Sequence, residues 1–192
     1  MQRQQDTKSE TNEVNCKTTD GLFLRVFLGA LCVSASWQYP VVWAVSVVMM
    51  KIEARNPSFV EEVKKSFAAQ SIMHLIGAAL TRVEPGVVEI SLPYRKDLTQ
   101  QDGYLHAGII TTIADSAAGY AAYSLMPAGS SVLSVEFKVN LLRPAKGEEF
   151  LARAEVIKPG KTLTVVRADV FGVTGEERTL VAMLLGTMFC AR

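Results

Sequence analysis

The chain has 192 residues, 49% of them apolar and 20% charged, with a formal net charge of +1. Such a composition belongs to a globular chain with a real core and excludes a disordered one. With no basic run, three cysteines that form no CxxC pair and only two histidines, nucleic-acid binding, a disulfide framework and a metal site are all unexpected.

Residues 1–20 are polar, of mixed charge and without period, and read as a tail. From Val26 to Met50 there is no charge at all: VFLGALCVSASWQYPVVWAVSVVMM. That length spans a bilayer. Against it, Gln38 and Pro40 sit mid-segment, and Trp37, Tyr39 and Trp43 cluster at the centre rather than at the ends. Three readings stand. The stretch is an upstream extension outside the native protein, since Met49 and Met50 directly precede the first clearly globular sequence. It is a membrane anchor. Or it is a cleaved signal, with Val33-Ser34-Ala35 as the cleavage-like site. The chain is accordingly divided into an extension, 1–49, and a folded domain, 50–192.

Ser58-x-x-Glu61 after Pro57 is a capping-box signature. Behind it Phe59, Val63 and Phe67 recur every fourth residue among charges, which predicts an amphipathic helix. Ile72, Met73, Leu75 and Ile76 predict a further helical turn ending at Gly77, with His74 as a packing residue. Pro85-Gly86 between two β-prone runs predicts a hairpin. A polar loop, YRKDLTQQDGY, leads to a helix over Ala107–Leu125 that is apolar on nearly every face. A helix of that kind is expected to be buried all round, with a sheet as its partner.

After Pro127-Ala128-Gly129 the period changes to two. Leu133, Val135, Phe137, Val139 and Leu141 alternate with Ser134, Glu136, Lys138 and Asn140, which predicts a half-buried antiparallel strand. Three more strands, through EEFLARAEVI, TLTVVRADVF and TLVAMLLGTMF, are separated by the turns KPGK and TGEE. The set is an antiparallel meander beside one long helix, an α+β arrangement in which the sheet must curl round the helix.

His106 and Asp115 stand out on that helix. Nine residues of α-helix turn through about 900° and rise roughly 13 Å, so one chain cannot bring the two into one site. An ionised Asp buried without partners is costly. In one reading it is satisfied locally, by Thr111, Thr112, Ser116 or a backbone amide, and His106 only caps the helix. In the other, Asp115 of one subunit faces the helix start of a second subunit. There free amides and the positive end of the dipole favour an oxyanion, as acyl transfer requires.

The stretch YLHAGIITTIADSAAGYAA resembles the His-Gly-Gly…Asp helix of the PaaI-type hotdog-fold thioesterases. SVEFKVNLLRPAKGE and VIKPGKTLTVVRADVF resemble the strand, turn and hairpin that follow it, so the resemblance runs from about Ser58 to Phe189. It implies a hotdog fold, a long central helix wrapped by a curved antiparallel sheet, and hydrolysis of an acyl-CoA to free acid and CoA with no metal or redox cofactor. It also implies a homodimer or homotetramer with its site at the dimer interface, and a cytoplasmic enzyme of fatty-acid metabolism. Membrane attachment would come only through residues 26–50. By the same resemblance Asp115 is the nucleophile or the base for water, the Ala107 amide polarises the carbonyl, His106 shapes that hole with Gly108 beside it, and Ser134 supports the attacking water. Gln100, with Gln101 as the alternative, supplies the orienting side-chain amide. Lys158, Gly160 and Lys161 of the KPGK turn, with Arg143 at a neighbouring strand end, are the expected contacts of the CoA phosphates. Two departures from the pattern are Ala107 in place of the first Gly and Gln100 where Asn is usual.

Two other functions compete. A hotdog hydratase or dehydratase pairs a His with a carboxylate at carbon, but the helix carries no Glu and the Pro-rich loop before it is absent. A non-catalytic acyl-CoA binding module would have no need of Asp115.

Overall fold

The computed structural model describes residues 52–191, together with the backbone of two short strands, β1 (Cys16–Lys17) and β2 (Phe23–Leu24). Those two pair antiparallel within a compact unit, Met1–Val47, and β1 falls in the stretch read as a tail. The apolar run 26–50, with its anchor and signal readings, lies outside the described residues. The second unit is Val48–Arg192. Among the described residues no helix is long and apolar enough to cross a membrane.

The second unit opens with α1 (Phe59–Ala69), which buries Val63 and Phe67 as the four-residue spacing predicts. The capping box does not form: Ser58 makes no side-chain cap. Asn56 takes that work instead, its Oδ1 accepting from Ser58 N–H at 3.0 Å and its carbonyl from Phe59 N–H at 3.2 Å. An Asn two residues upstream is as good an acceptor as the Ser, and it already sits in the turn. Gln70, with extended backbone, separates α1 from α2 (Ser71–Ile76). Gly77 then stops α2 in the left-handed region at φ 77°, which a residue with a Cβ rarely adopts. His74 is exposed rather than packed, and its Nε2 lies 2.7 Å from the Ala68 carbonyl.

The predicted hairpin is β3 (Ala79–Glu84) and β4 (Val87–Pro93). A 3₁₀ turn at Lys96–Leu98 leads to α3 (Ala107–Tyr123), two residues shorter than predicted. Then follow β5 (Ser131–Leu141), β6 (Glu149–Lys158), β7 (Leu163–Thr174) and β8 (Glu177–Ala191). The six strands form one antiparallel sheet in the order β3-β4-β6-β7-β8-β5, with β3 and β5 at its edges.

α3 lies against β4 through β8. Ile110, Ile113, Ala117 and Ala121 are fully or almost fully buried against Ile90, Phe150, Val166 and Leu184. The alanines let the helix backbone approach the sheet closely, and each large side chain so buried contributes about 1.5–3 kcal/mol. The helix is not buried all round. Its other flank meets α1, where the Phe67 and Tyr120 rings are 5.9 Å apart. Between α1 and β5 a stripe through Thr112, Asp115 and Ser116 stays half-buried, and Gly108 is exposed. An open sheet covers one side of a helix, and α1 is too short to cover the rest.

β5 also departs from expectation. It is not half-buried: Leu133, Val135, Phe137 and Leu141 are all exposed. As an edge strand it has one neighbour, β8, and it overhangs the helix. A bulge between Ser134 and Glu136 resets its alternation. Before the bulge Ser134 lies opposite buried Met188; after it Val139 lies opposite buried Leu184. Cross-strand partners share a face, so Ser134 and Val139 both look toward the helix. The polar-face placement expected for Ser134 is thereby overturned.

Candidate active site

α3 begins with one spare amide. His106 is its N-cap, and Nδ1 of the imidazole accepts from Gly108 N–H at 2.9 Å. Ile109 and Ile110 N–H go to the His106 carbonyl at 2.9 and 3.2 Å. Ala107 N–H is left with no acceptor among the described residues. It sits at the positive end of the helix dipole, where partial negative charge is favoured. A neutral imidazole that accepts at Nδ1 carries its proton on Nε2, so the exposed edge of His106 is a donor. A Cβ at Gly108 would come within 3.1 Å of that Nδ1, so the glycine makes room for the ring.

Ala107 lines a cleft of about 340 Å³ with Gln100, Tyr104, Ile110 and Arg143. Gln100 Oε1 accepts from Asp102 N–H, and Nε2 reaches Asp102 Oδ2 at 3.4 Å. Gln101 Nε2 is 3.3 Å from the same carboxylate and does not line the cleft.

Asp115 lies elsewhere. It lines a second cleft of about 280 Å³, between α1 and β5, which shares no lining residue with the first. There Ser134 Oγ donates to Asp115 Oδ1 at 2.7 Å and is 3.5 Å from Met188 Sδ. The carboxylate is therefore satisfied, though not by Thr111 or Thr112, whose hydroxyls donate back to the carbonyls of Ala107 and Gly108. Ser116 turns to Gln70 Oε1 at 3.4 Å. Ser134 occupies one oxygen of Asp115, and no group among the described residues takes the other.

Further along the same cleft Tyr120 OH lies 3.3 Å from Ser66 Oγ, and Tyr123 OH donates to Glu62 Oε2 at 3.2 Å. Burial pushes the Tyr120 phenol above its ordinary range, partly offset by Ser66. Burial, and then the Glu62 charge, push up that of Tyr123. Both stay neutral hydroxyls at physiological pH. Sequence reasoning missed Ser66, Gln70 and Tyr123, which come from α1, the residue that follows it and the far end of α3; nothing in their local pattern marks a contact across 46 to 61 residues.

The cations expected at the phosphates are split as well. Lys158 and Lys161 are exposed in the β6–β7 turn, whose Gly160 carbonyl accepts from Arg55 at 3.2 Å. A Cβ at Gly160 would meet the Leu163 carbonyl at 1.9 Å, so the turn requires glycine. The row Leu163–Phe189–Leu133 crosses the sheet at that end, whereas Leu141 pairs with Ala182 at the other. Arg143 thus stands about 20 Å along the strands from the lysine turn, not at a neighbouring strand end. Its guanidinium donates to the Leu180 carbonyl at 3.0 Å.

One chain therefore presents two separate clusters: a carboxylate with a hydroxyl, and a free helix-start amide with a side-chain amide and a guanidinium. Comparison with known proteins identifies the family and the fold. The family model described as thioesterase superfamily matches residues 102–179. A Saccharolobus solfataricus protein with a provisional esterase name is 32% identical over 128 residues, 67% of this chain and 83% of that protein. Human acyl-coenzyme A thioesterase 13 is 29% identical over 111 residues, 57% of this chain and 79% of its own. Among solved structures, a thioesterase family protein from Silicibacter pomeroyi is 48% identical, with TM-score 0.68 over 69% of this chain and 98% of that one. The PaaI protein of E. coli, at 17% identity and TM-score 0.63 over 69% of this chain and 92% of that one, shares the fold.

Proposed function

This chain belongs to the thioesterase superfamily, has the hotdog fold that the PaaI protein shares, and is a thioester hydrolase; from that premise we propose that it hydrolyses acyl-CoA to free acid and CoA in a site shared by two subunits. The observation that carries the proposal is the Ser134–Asp115 hydrogen bond of 2.7 Å in a cleft apart from the unpaired Ala107 amide.

β5 supplies the means of assembly. It is a free edge with exposed apolar side chains, which a second copy covers by antiparallel pairing. A two-fold axis at that edge lays the Ser131 end of one β5 beside the Leu141 end of the other. Asp115 and Ser134 of one subunit then meet Ala107, Gln100 and Arg143 of its partner. Further pairing of dimers gives the tetramer that the resemblance implies.

In this site the thioester oxygen lies against Ala107 N–H, with the His106 Nε2–H donor beside it. Ser134 holds Asp115 through Oδ1 and leaves Oδ2 to take the proton of an attacking water. The oxyanion that forms is stabilised by the amide, and its collapse breaks the C–S bond. CoA leaves as the thiolate and takes the proton from Asp115. Direct attack by Asp115 on the carbonyl, through an anhydride that water then opens, uses the same groups. Release of free thiol from a panel of acyl-CoAs, in the absence of added metal, tests the activity.

On this reading the activity resides in residues 50–192, and a CoA thioester substrate is consistent with a cytoplasmic enzyme. Deleting residues 1–49 should leave turnover intact; an inactive or unfolded truncation would refute this division of the chain.

A further inference from the structure

Three features of the Asp115 cleft are not used by hydrolysis itself. Its floor contains Gly119, four residues beyond Asp115 in the interior of α3. Glycine weakens a helix interior relative to alanine. Nothing in the packing demands it: a Cβ there would meet only Val132 Cγ1, at 3.9 Å, an ordinary contact. One wall carries Gln70, whose Oε1 is held by Ser116 at 3.4 Å while its NH₂ has no acceptor among the described residues. The remaining wall is rich in hydroxyls, from Ser66, Tyr120 and Ser130. At about 280 Å³ the space is at the small end for a ligand site.

We propose that this cleft receives the acyl group, that Gly119 sets its width, and that Gln70 selects short acyl groups bearing an oxygen near the thioester over plain or long alkyl chains. The proposal rests on the acyl-CoA reading above and adds the substrate class. An apolar chain laid along this wall would leave the Gln70 NH₂ desolvated and unpaired, which is the costly outcome for a polar group. A hydroxyl or carbonyl oxygen on the acyl chain satisfies it. Discrimination of this kind is stronger than a hydrophobic wall achieves for one extra methylene. Gly119 places the helix backbone itself at the floor, so a substituent on the acyl chain passes where a methyl group would stand.

The test uses the full-length protein with acetyl-CoA, butanoyl-CoA, 3-hydroxybutanoyl-CoA and octanoyl-CoA, assayed by thiol release, and each variant is also melted. The wild type should prefer 3-hydroxybutanoyl-CoA to butanoyl-CoA by about tenfold in kcat/KM, the scale of one buried hydrogen bond. Gln70→Met should erase that preference. Gln70→Glu, which keeps an acceptor for Ser116 and removes the donor, should erase it too, so a folding defect in one variant does not decide the matter. Gly119→Ala should raise Tm by about 3 °C while kcat/KM falls more steeply the larger the acyl group. The proposal is overturned if the wild type prefers octanoyl-CoA. It is overturned equally if the Gln70 variants scale both four-carbon substrates alike, or if Gly119→Ala melts lower and slows all substrates alike. No thiol from any substrate with the wild type would instead overturn the acyl-CoA reading beneath it.

Discussion

Ser134 Oγ and Asp115 Oδ1 are 2.7 Å apart, although one residue is on the edge strand and the other in the middle of the central helix, nineteen positions earlier. The bulge that follows Ser134 makes the contact, by turning that side chain to the helix face while Val139 keeps its place over the core. The hydrogen bond fixes one carboxylate oxygen and frees the other for the reaction.

Asp115→Asn should lower kcat by at least about 100-fold with little loss of stability, the scale of losing a base or nucleophile. Ser134→Ala should cost about tenfold, because the carboxylate stays but its orientation is lost. Steady-state kinetics beside a thermal melt checks both. Wild-type turnover in Asp115→Asn would end the proposed mechanism.

His106→Ala should affect stability as well as rate. It removes the acceptor for Gly108 N–H, a cap worth about 1 kcal/mol. His106→Asn, which caps equally well, should restore the melting temperature without restoring the Nε2–H donor. If Asn recovers turnover in full, the imidazole serves only as a cap.

Lys161→Ala should raise KM for acyl-CoA and leave kcat nearly unchanged, since a phosphate contact is the same in ground and transition states. The penalty should shrink with salt, because Lys161 is exposed. It should vanish for a short acyl thioester lacking the nucleotide. An equal penalty on that substrate would assign Lys161 to the structure of the turn.

Alkaline stability follows from the two phenols. Their folded-state pKa values are raised above the unfolded value of 10.0, so the folded chain holds these protons more tightly. That contribution is fully present below pH 10 and is lost as pH rises above it. Tyr120→Phe should therefore flatten the fall in stability above pH 10, as read from denaturant midpoints. An unchanged slope would mean that the Tyr120 phenol ionises as freely folded as unfolded.

Much of the fold was legible because its signals are local. The spacing of Val63 and Phe67, the Pro85-Gly86 turn and the tight turns between the last strands each depend on a few adjacent residues. The candidate catalytic residues were legible through the His106-to-Asp115 spacing and the stretches that resemble related enzymes. What was not legible depends on partners distant in the chain. The alternation of β5 gave no sign of the bulge, so Ser134 was assigned to the wrong face. The apolar surface of α3 gave no sign that α1 would cover one flank and leave a cleft with Gln70 and Tyr123 on its walls. Gly119 was visible as a glycine inside a helical pattern, but only the space above it gives it meaning.

The central claim is that each site joins Asp115 of one subunit to the Ala107 amide of another, and Ala107→Pro permits a direct test. Proline is favoured at the first helical position, and His106 already has the extended backbone a following proline requires (φ −63°, ψ 138°). The substitution should remove the single N–H and spare the helix, lowering kcat by about 100- to 1,000-fold. Ala107→Pro and Asp115→Asn chains are then unfolded together, refolded and assayed. In a mixed dimer one site carries both defects and the other carries neither. Random mixing should therefore restore about one quarter of wild-type activity. Mixed dimers, demonstrated by mass, that stay as inactive as either parent would contradict the account and confine each site to one chain.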